Sequence, residues 1–230
     1  MNDNAPTTDS DEGFDLDPVE LRVLGVLVEK AFVTPDAYPL SINAIVTGCN
    51  QLTAREPVMA LDQDRVQEAV DSLMRRKLVS RRDSASARVA KYEHLVRLRH
   101  SLPPDAQAVL AVLILRGPQT PGEIRQRSDR MHAFADIAAV EAVLEHLADK
   151  FPPMVTPLPR MPGTKEIRYA HLLGGNDAFE QYCASVATVA VGTTPPARGR
   201  TAELEDEVRR LREEVDWLRS EFERFRAQFD

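Results

Sequence analysis

Apolar residues recur at helical spacing over stretches of this chain, cut by polar caps and prolines, and then switch to the two-residue alternation of strands. Asp17-Pro18-Val19-Glu20 combines an N-cap, a first-turn proline and a third-position glutamate, which predicts a helix running to about residue 32. Pro35 and Pro39 force a turn, and Ser41 caps a second predicted helix ending near residue 50. Residues 51–61 read as a loop containing Arg55-Glu56-Pro57. Asp62 caps a third helix with Val66, Ala69, Val70, Leu73 and Met74 on one face. Strands are predicted over 78–82 and 88–98, joined by the polar turn Asp83-Ser84-Ala85-Ser86.

The same order then returns. A helix over 104–115 stops at Arg116-Gly117-Pro118, and Thr120-Pro121-Gly122-Glu123 is a capping box starting another. Asp136 begins a third, directing Ile137, Val140, Val143, Leu144 and Leu147 inward, until Phe151-Pro152-Pro153 ends it. A hairpin over 154–158 and 166–173 closes the unit around Pro162-Gly163, its prolines making the first strand an edge. The repetition extends to residue types. Lys91-Tyr92-Glu93-His94-Leu95 recurs as Arg168-Tyr169-Ala170-His171-Leu172. Val23-Leu24-Gly25-Val26-Leu27-Val28 matches Val109-Leu110-Ala111-Val112-Leu113-Ile114, and the Val66, Ala69, Val70, Leu73 pattern matches Val140, Val143, Leu144, Leu147.

Three helices and a hairpin, twice over, predict a mainly α fold with small β-hairpins (α+β): tandem winged-helix domains at 17–100 and 101–175. An acidic lead-in at 1–16 is expected to be disordered. Residues 176–200 hold a short helix and a Pro/Gly linker, and 201–230 a coiled coil. In that last segment Leu204, Val208, Leu211, Val215, Leu218, Phe222, Phe225 and Phe229 form an unbroken heptad seam. Glu207, Glu214 and Glu221 precede Arg212, Arg219 and Arg226 at the flanking positions, so a parallel pair of chains places each glutamate opposite an arginine. A parallel coiled-coil dimer is expected; three phenylalanines in the seam leave a trimer open, and a lone charged helix packing back on its own body is the alternative.

Charge changes the picture more than composition does. The net −7 is concentrated in the tails: residues 1–17 carry six acids and no base, and 201–230 carry ten acids against six bases. Residues 18–100 hold thirteen bases and ten acids, whereas 101–175 balance at eight each. The two cysteines, Cys49 and Cys183, form no paired motif, which argues against a disulfide framework or thiolate metal site. The opening is acidic and polar and the longest apolar run, 108–115, is far too short to span a bilayer; a cytoplasmic protein with no membrane partner is expected. No phosphate loop, nucleophile elbow or zinc-protease motif occurs, so neither an enzyme nor a metal or other cofactor is expected. His94 and His171 fall on inward strand faces with Tyr92 and Tyr169, and read as hydrogen-bonded structural histidines at matched positions.

One surface suits a ligand. Arg75, Arg76, Lys77, Arg81, Arg82, Arg88 and Lys91 gather at the end of the third helix and along the first hairpin, followed by Arg97 and Arg99. A winged helix can grip nucleic-acid phosphates there without reading bases. Arg55, held outward by Pro57, is a further candidate. The third helices themselves carry Asp64, Glu68 and Asp71 in the first unit and Asp136, Glu141, Glu145 and Asp149 in the second. Carboxylates in those places repel a phosphate wall. Two readings follow: a dimeric, regulatory protein touching nucleic-acid backbone through the first hairpin, or a protein-interaction scaffold presenting its acidic third helices to a protein partner.

Several phrases taken together, Thr34-Pro35-Asp36-x-Tyr38-Pro39-Leu40, Cys49-Asn50-Gln51, Arg55-Glu56-Pro57-Val58, Lys91-Tyr92-x-His94, Arg116-Gly117-Pro118-Gln119-Thr120, Leu158-Pro159-Arg160-x-Pro162-Gly163 and Arg168-Tyr169-x-His171-Leu172, resemble the YceH-like family of bacterial proteins. The resemblance covers about 17–174. It implies a tandem winged-helix fold and no particular activity. Where that family usually has a Lys-Ser-Asn-like triplet, this chain has Leu52-Thr53-Ala54, which removes a cation from the loop.

Overall fold

The computed structural model describes residues 14–82, 89–160, 166–175 and 179–180. Among them the fold is mixed, with seven α-helices and two small antiparallel sheets. Helix α1 (Pro18–Val33) begins with Asp17 accepting from the Val19 and Glu20 N–H groups at 2.7 and 2.8 Å, while Glu20 accepts from the Asp17 N–H at 2.8 Å. Ser41 caps α2 (Ile42–Cys49) and Asp62 caps α3 (Gln63–Arg75). Strands β2 (Val79–Arg82) and β3 (Lys91–His94) follow, and β3 also pairs with a two-residue strand, β1 (Leu40–Ser41). The pattern repeats in α5 (Pro104–Arg116), α6 (Pro121–Ser128), α7 (Ile137–Ala148), β4 (Val155–Pro157) and β5 (Tyr169–His171). Here the place of β1 is taken by a single bridge between Gln119 and Tyr169.

The second predicted strand of the first hairpin is shorter than its alternating pattern suggests. The Leu95 N–H donates to the Leu78 carbonyl at 2.7 Å, and then the chain coils into α4 (Val96–His100). Val96 is buried while Leu98 is 79% exposed, so this segment has one apolar anchor and no inward face for a longer strand to bury. Ser101, in the left-handed region (φ 51°), ends the helix. The last residues of the acidic lead-in pack on the body: Leu16 is buried and donates its N–H to the Leu173 carbonyl at 3.0 Å, and the Phe14 ring lies 4.9 Å from His100.

The two repeats share one hydrophobic interior. Its centre is the contact of α1 with α5, the most extensive between any two elements. Both helices are apolar almost all round, the signature of helices buried on every side. Gly25 makes their close approach possible, since a Cβ there would lie 2.8 Å from Ile114 Cγ2 and 2.9 Å from Leu115 Cδ2. Gly48 does the same for α2 against α1, at 2.6 Å from Val26 Cγ1. No helix among the described residues is long and apolar enough to cross a membrane. The turn carrying Arg88, the linker and the heptad seam from Leu204 to Phe229 lie outside the described residues.

Candidate functional sites: a cationic edge and an arginine-lined cleft

The end of α3 and the sheet that follows bring most of the predicted cations to one edge. Arg75, Arg76 and Lys77 stand at the helix terminus, all exposed. Arg82 faces Lys91 across the β2–β3 ladder, and Arg81 faces Tyr92. Arg76 pairs with Glu20 at 3.6 Å and Arg82 with Glu93 at 2.7 Å, and Arg81 is engaged as well. Arg75, Lys77 and Lys91 make no ion pair among the described residues. The acidic positions of α3 are partly spent along its own surface, with Glu68 on Arg65 at 2.9 Å and Asp71 accepting from Gln67 at 2.9 Å.

Arg55 does not belong to that edge. Its side chain is fully buried, with both guanidinium amines on the Glu29 carboxylate at 3.2 and 2.7 Å. Nε donates to the Gly48 carbonyl at 3.0 Å, and the amines also reach the Ala54 carbonyl and Gln51 Oε1. Pro57 does not push it outward, because the C-terminal carbonyls of α2 need donors and Arg55 supplies one. Arg22 serves the same loop, donating to the Cys49 and Pro57 carbonyls. Burial raises the Glu29 pKa, but the hydrogen bonds and charge of Arg55, with help from Lys30, hold the carboxyl below its ordinary range. Cys49 beside them is buried, and burial pushes its thiol up to about 12, which leaves it no thiolate at neutral pH.

The second repeat holds a cleft of about 600 Å³. Its walls come from both repeats: Leu21 and Glu56-Pro57 on one side, and Arg116 to Gln119, Glu123, Arg127, Arg168 and His171 on the other. The Glu56 N–H donates to the Leu115 carbonyl at 2.8 Å, fixing the loop against the end of α5. Glu123 accepts from the Thr120 N–H at 2.9 Å and pairs with Arg168 at 3.2 Å and Arg127 at 3.5 Å. Burial raises its pKa, but these donors outweigh burial and the carboxyl titrates low. The Arg116 guanidinium has neither a hydrogen bond nor an ion pair among the described residues; burial, and then the charge of Arg127, lower its pKa. Gln119, 3% exposed, donates Nε2 to the Arg116, Gly117 and Pro118 carbonyls, while its Oε1 has no partner.

The matched histidines differ from the hydrogen-bonded pair expected. Nδ1 of both His94 and His171 is buried and finds no partner among the described residues. Burial pushes both imidazoles down to about 4, so they are neutral at physiological pH. Among the described residues no three histidine, cysteine or acidic side chains gather closely enough to hold a metal ion. Sequence reasoning passed over the cleft because its arginines are scattered along the chain. The available signal was Arg116-Gly117-Pro118-Gln119 beside the second tyrosine phrase.

A doubled unit of three helices and a short antiparallel ribbon, with an arginine-lined cleft at the junction, defines a class of small α/β protein without assigning it a reaction. Residues 16–164 match the family described as "Protein of unknown function, DUF480". The chain is 70% identical to the UPF0502 protein of Azoarcus sp. (strain BH72) over 86% of its own length and 87% of the relative's. It is 52% identical to that of Herminiimonas arsenicoxydans, over 84% and 81%. It is also 52% identical to that of Geobacter sulfurreducens, over 70% and 73%. This chain belongs to the UPF0502 (DUF480) family, the family that the YceH-like phrases point to.

Proposed function

We propose that this protein is a tandem winged-helix regulator, dimerised by its C-terminal seam, that grips nucleic-acid backbone through the cationic edge of its first repeat. The observation that carries the reading is that edge: Arg75, Lys77 and Lys91 are exposed and not engaged in ion pairs among the described residues, with Arg76, Arg81 and Arg82 beside them. In a winged helix this is where the third helix and the wing straddle a phosphate strand. The outward carboxylates of α3 and α7 favour backbone contact over base reading, because a groove-inserted helix faces phosphates on both sides. Joining two such chains raises a modest affinity per chain, provided both can engage at once.

Binding of the full-length chain to random duplex DNA across a salt series tests this. Affinity should fall steeply with salt, and Arg75→Ala with Lys77→Ala and Lys91→Ala should lower the slope of log K against log salt by up to about 3. Absence of binding at low salt removes this reading. It leaves the scaffold, which the exposed Glu141 and Glu145 of α7 and Asp149 at its C-terminal end favour.

A further inference from the structure

The two repeats can be laid over one another position by position around the cleft. Ser41 and Thr120 cap helices of eight residues each, α2 and α6. The residues before them, Leu40 and Gln119, pair with Tyr92 and Tyr169, the tyrosines of the two matching phrases. Tyr38-Pro39-Leu40-Ser41 therefore corresponds to Gly117-Pro118-Gln119-Thr120. In the first repeat the Tyr38 ring lies tilted against His94, centroids 6.1 Å apart, and its hydroxyl oxygen accepts the His94 N–H at 2.7 Å. Leu40 is 4% exposed.

In the second repeat that filling is gone. Gly117 replaces the tyrosine, has φ +70°, and faces open space: a Cβ there would meet nothing within 4 Å. Buried Gln119 replaces the leucine. Arg116 stands where the first repeat has Ala37, and Arg127 where it has Gly48. Each exchange takes apolar filling or a small residue away and puts space or a polar group in its place. His94 Nδ1 is unpartnered too, so the imidazole alone carries nothing. What the second repeat adds is the space, an orphaned amide oxygen and an arginine with no ion pair among the described residues, since Glu29, whose charge reaches it, is already paired with Arg55. A buried acceptor without a partner weakens the fold, and a donor on a ligand would relieve that loss.

We propose that this cleft is a binding site for a small organic oxyanion. The anionic head, a carboxylate or a phosphate, sits between Arg116 and Arg127. A hydroxyl or amine of the ligand donates to Gln119 Oε1, and an apolar body rests against Leu21, Pro57 and Phe179. The cleft volume is that of sites for metabolite-sized molecules. Glu123 is already held by three donors and offers the anion little repulsion, while Glu56 on the rim disfavours ligands carrying several negative charges.

The test is calorimetric titration of the full-length protein with benzoate and with phenyl phosphate, using benzyl alcohol as the neutral counterpart. At least one of the two anions should bind saturably and the alcohol should not; which anion binds assigns the head group. Arg116→Met should weaken binding about tenfold or more without lowering Tm, since Arg116 holds nothing else in place. Arg127→Gln should weaken it as well, and Arg75→Ala with Lys77→Ala should leave it unchanged, which separates this site from the cationic edge. Saturable binding of neither anion, equal binding of the alcohol, or unaltered affinity in both arginine variants overturns the proposal. A loss of Tm in Arg116→Met that parallels the loss of binding shows a structural arginine and overturns it too.

Discussion

The first repeat spends its cations on an outer edge and in a sealed interior pair; the second lines an open cleft with them. Both follow one plan, with helices in matching order and tyrosines in the same ladder position. Yet α1 carries Arg22 and Glu29 where α5 carries Ala108 and Leu115 at the corresponding sites. The difference teaches that backbone plan and electrostatic design are separable here. The caps and the α1–α5 contact fix the plan, and a handful of exchanged side chains decides whether a repeat is closed or hollow.

The largest effect expected on that contrast is at the sealed pair. Glu29→Gln leaves the fully buried Arg55 guanidinium without its counter-charge and should cost about 3–5 kcal/mol in urea unfolding. Leu115→Met at the corresponding site of the second repeat should cost less than about 1.5 kcal/mol. Equal losses would show that the first repeat does not depend on its interior pair. Next is the close approach that keeps the first repeat shut. Gly48→Ala sets a Cβ against Val26, itself fully buried, and should destabilise by about 1–3 kcal/mol. A neutral outcome would mean that α2 can retreat from α1.

Smallest at any one condition near neutrality, because it develops only as the medium is acidified, is a pH effect shared by both repeats. Burial pushes His94, His100 and His171 down to about 4, so the folded protein keeps them neutral while the unfolded chain protonates them near pH 6.5. Stability from these groups is fully present above about pH 6.5 and is lost as pH falls towards 4, by at most about 1.4 kcal/mol per pH unit for each histidine. Denaturant midpoints measured across that window should show a slope that His94→Gln and His171→Gln each reduce. A pH-independent midpoint would place the imidazoles in contact with water.

Much of the plan was legible in the sequence because it is local. Asp17, Ser41, Asp62, Thr120 and Asp136 each cap a helix that follows directly, and the Lys91 and Arg168 phrases mark the returning strands. What escaped is non-local. Arg55 is buried because Glu29 lies 26 residues earlier and the end of α2 needs a donor, neither of which a loop composition reveals. Strand β1 is two residues long and its partner, Tyr92, is 52 positions away. The segment after Leu95 alternates like a strand, but the ladder has closed by then and the chain coils. The correspondence of Tyr38 with Gly117 is hidden by the very exchange that makes the cleft.

The helices that meet at the centre are the same helix of the two repeats. Their contact joins corresponding elements, as an interface between two copies of one unit would, but within a single polypeptide. Were two identical copies to associate that way, any hollow opened in one would open in the other. Covalent fusion lifts the constraint: one partner can stay solid and bear the load of folding while its twin is free to be carved.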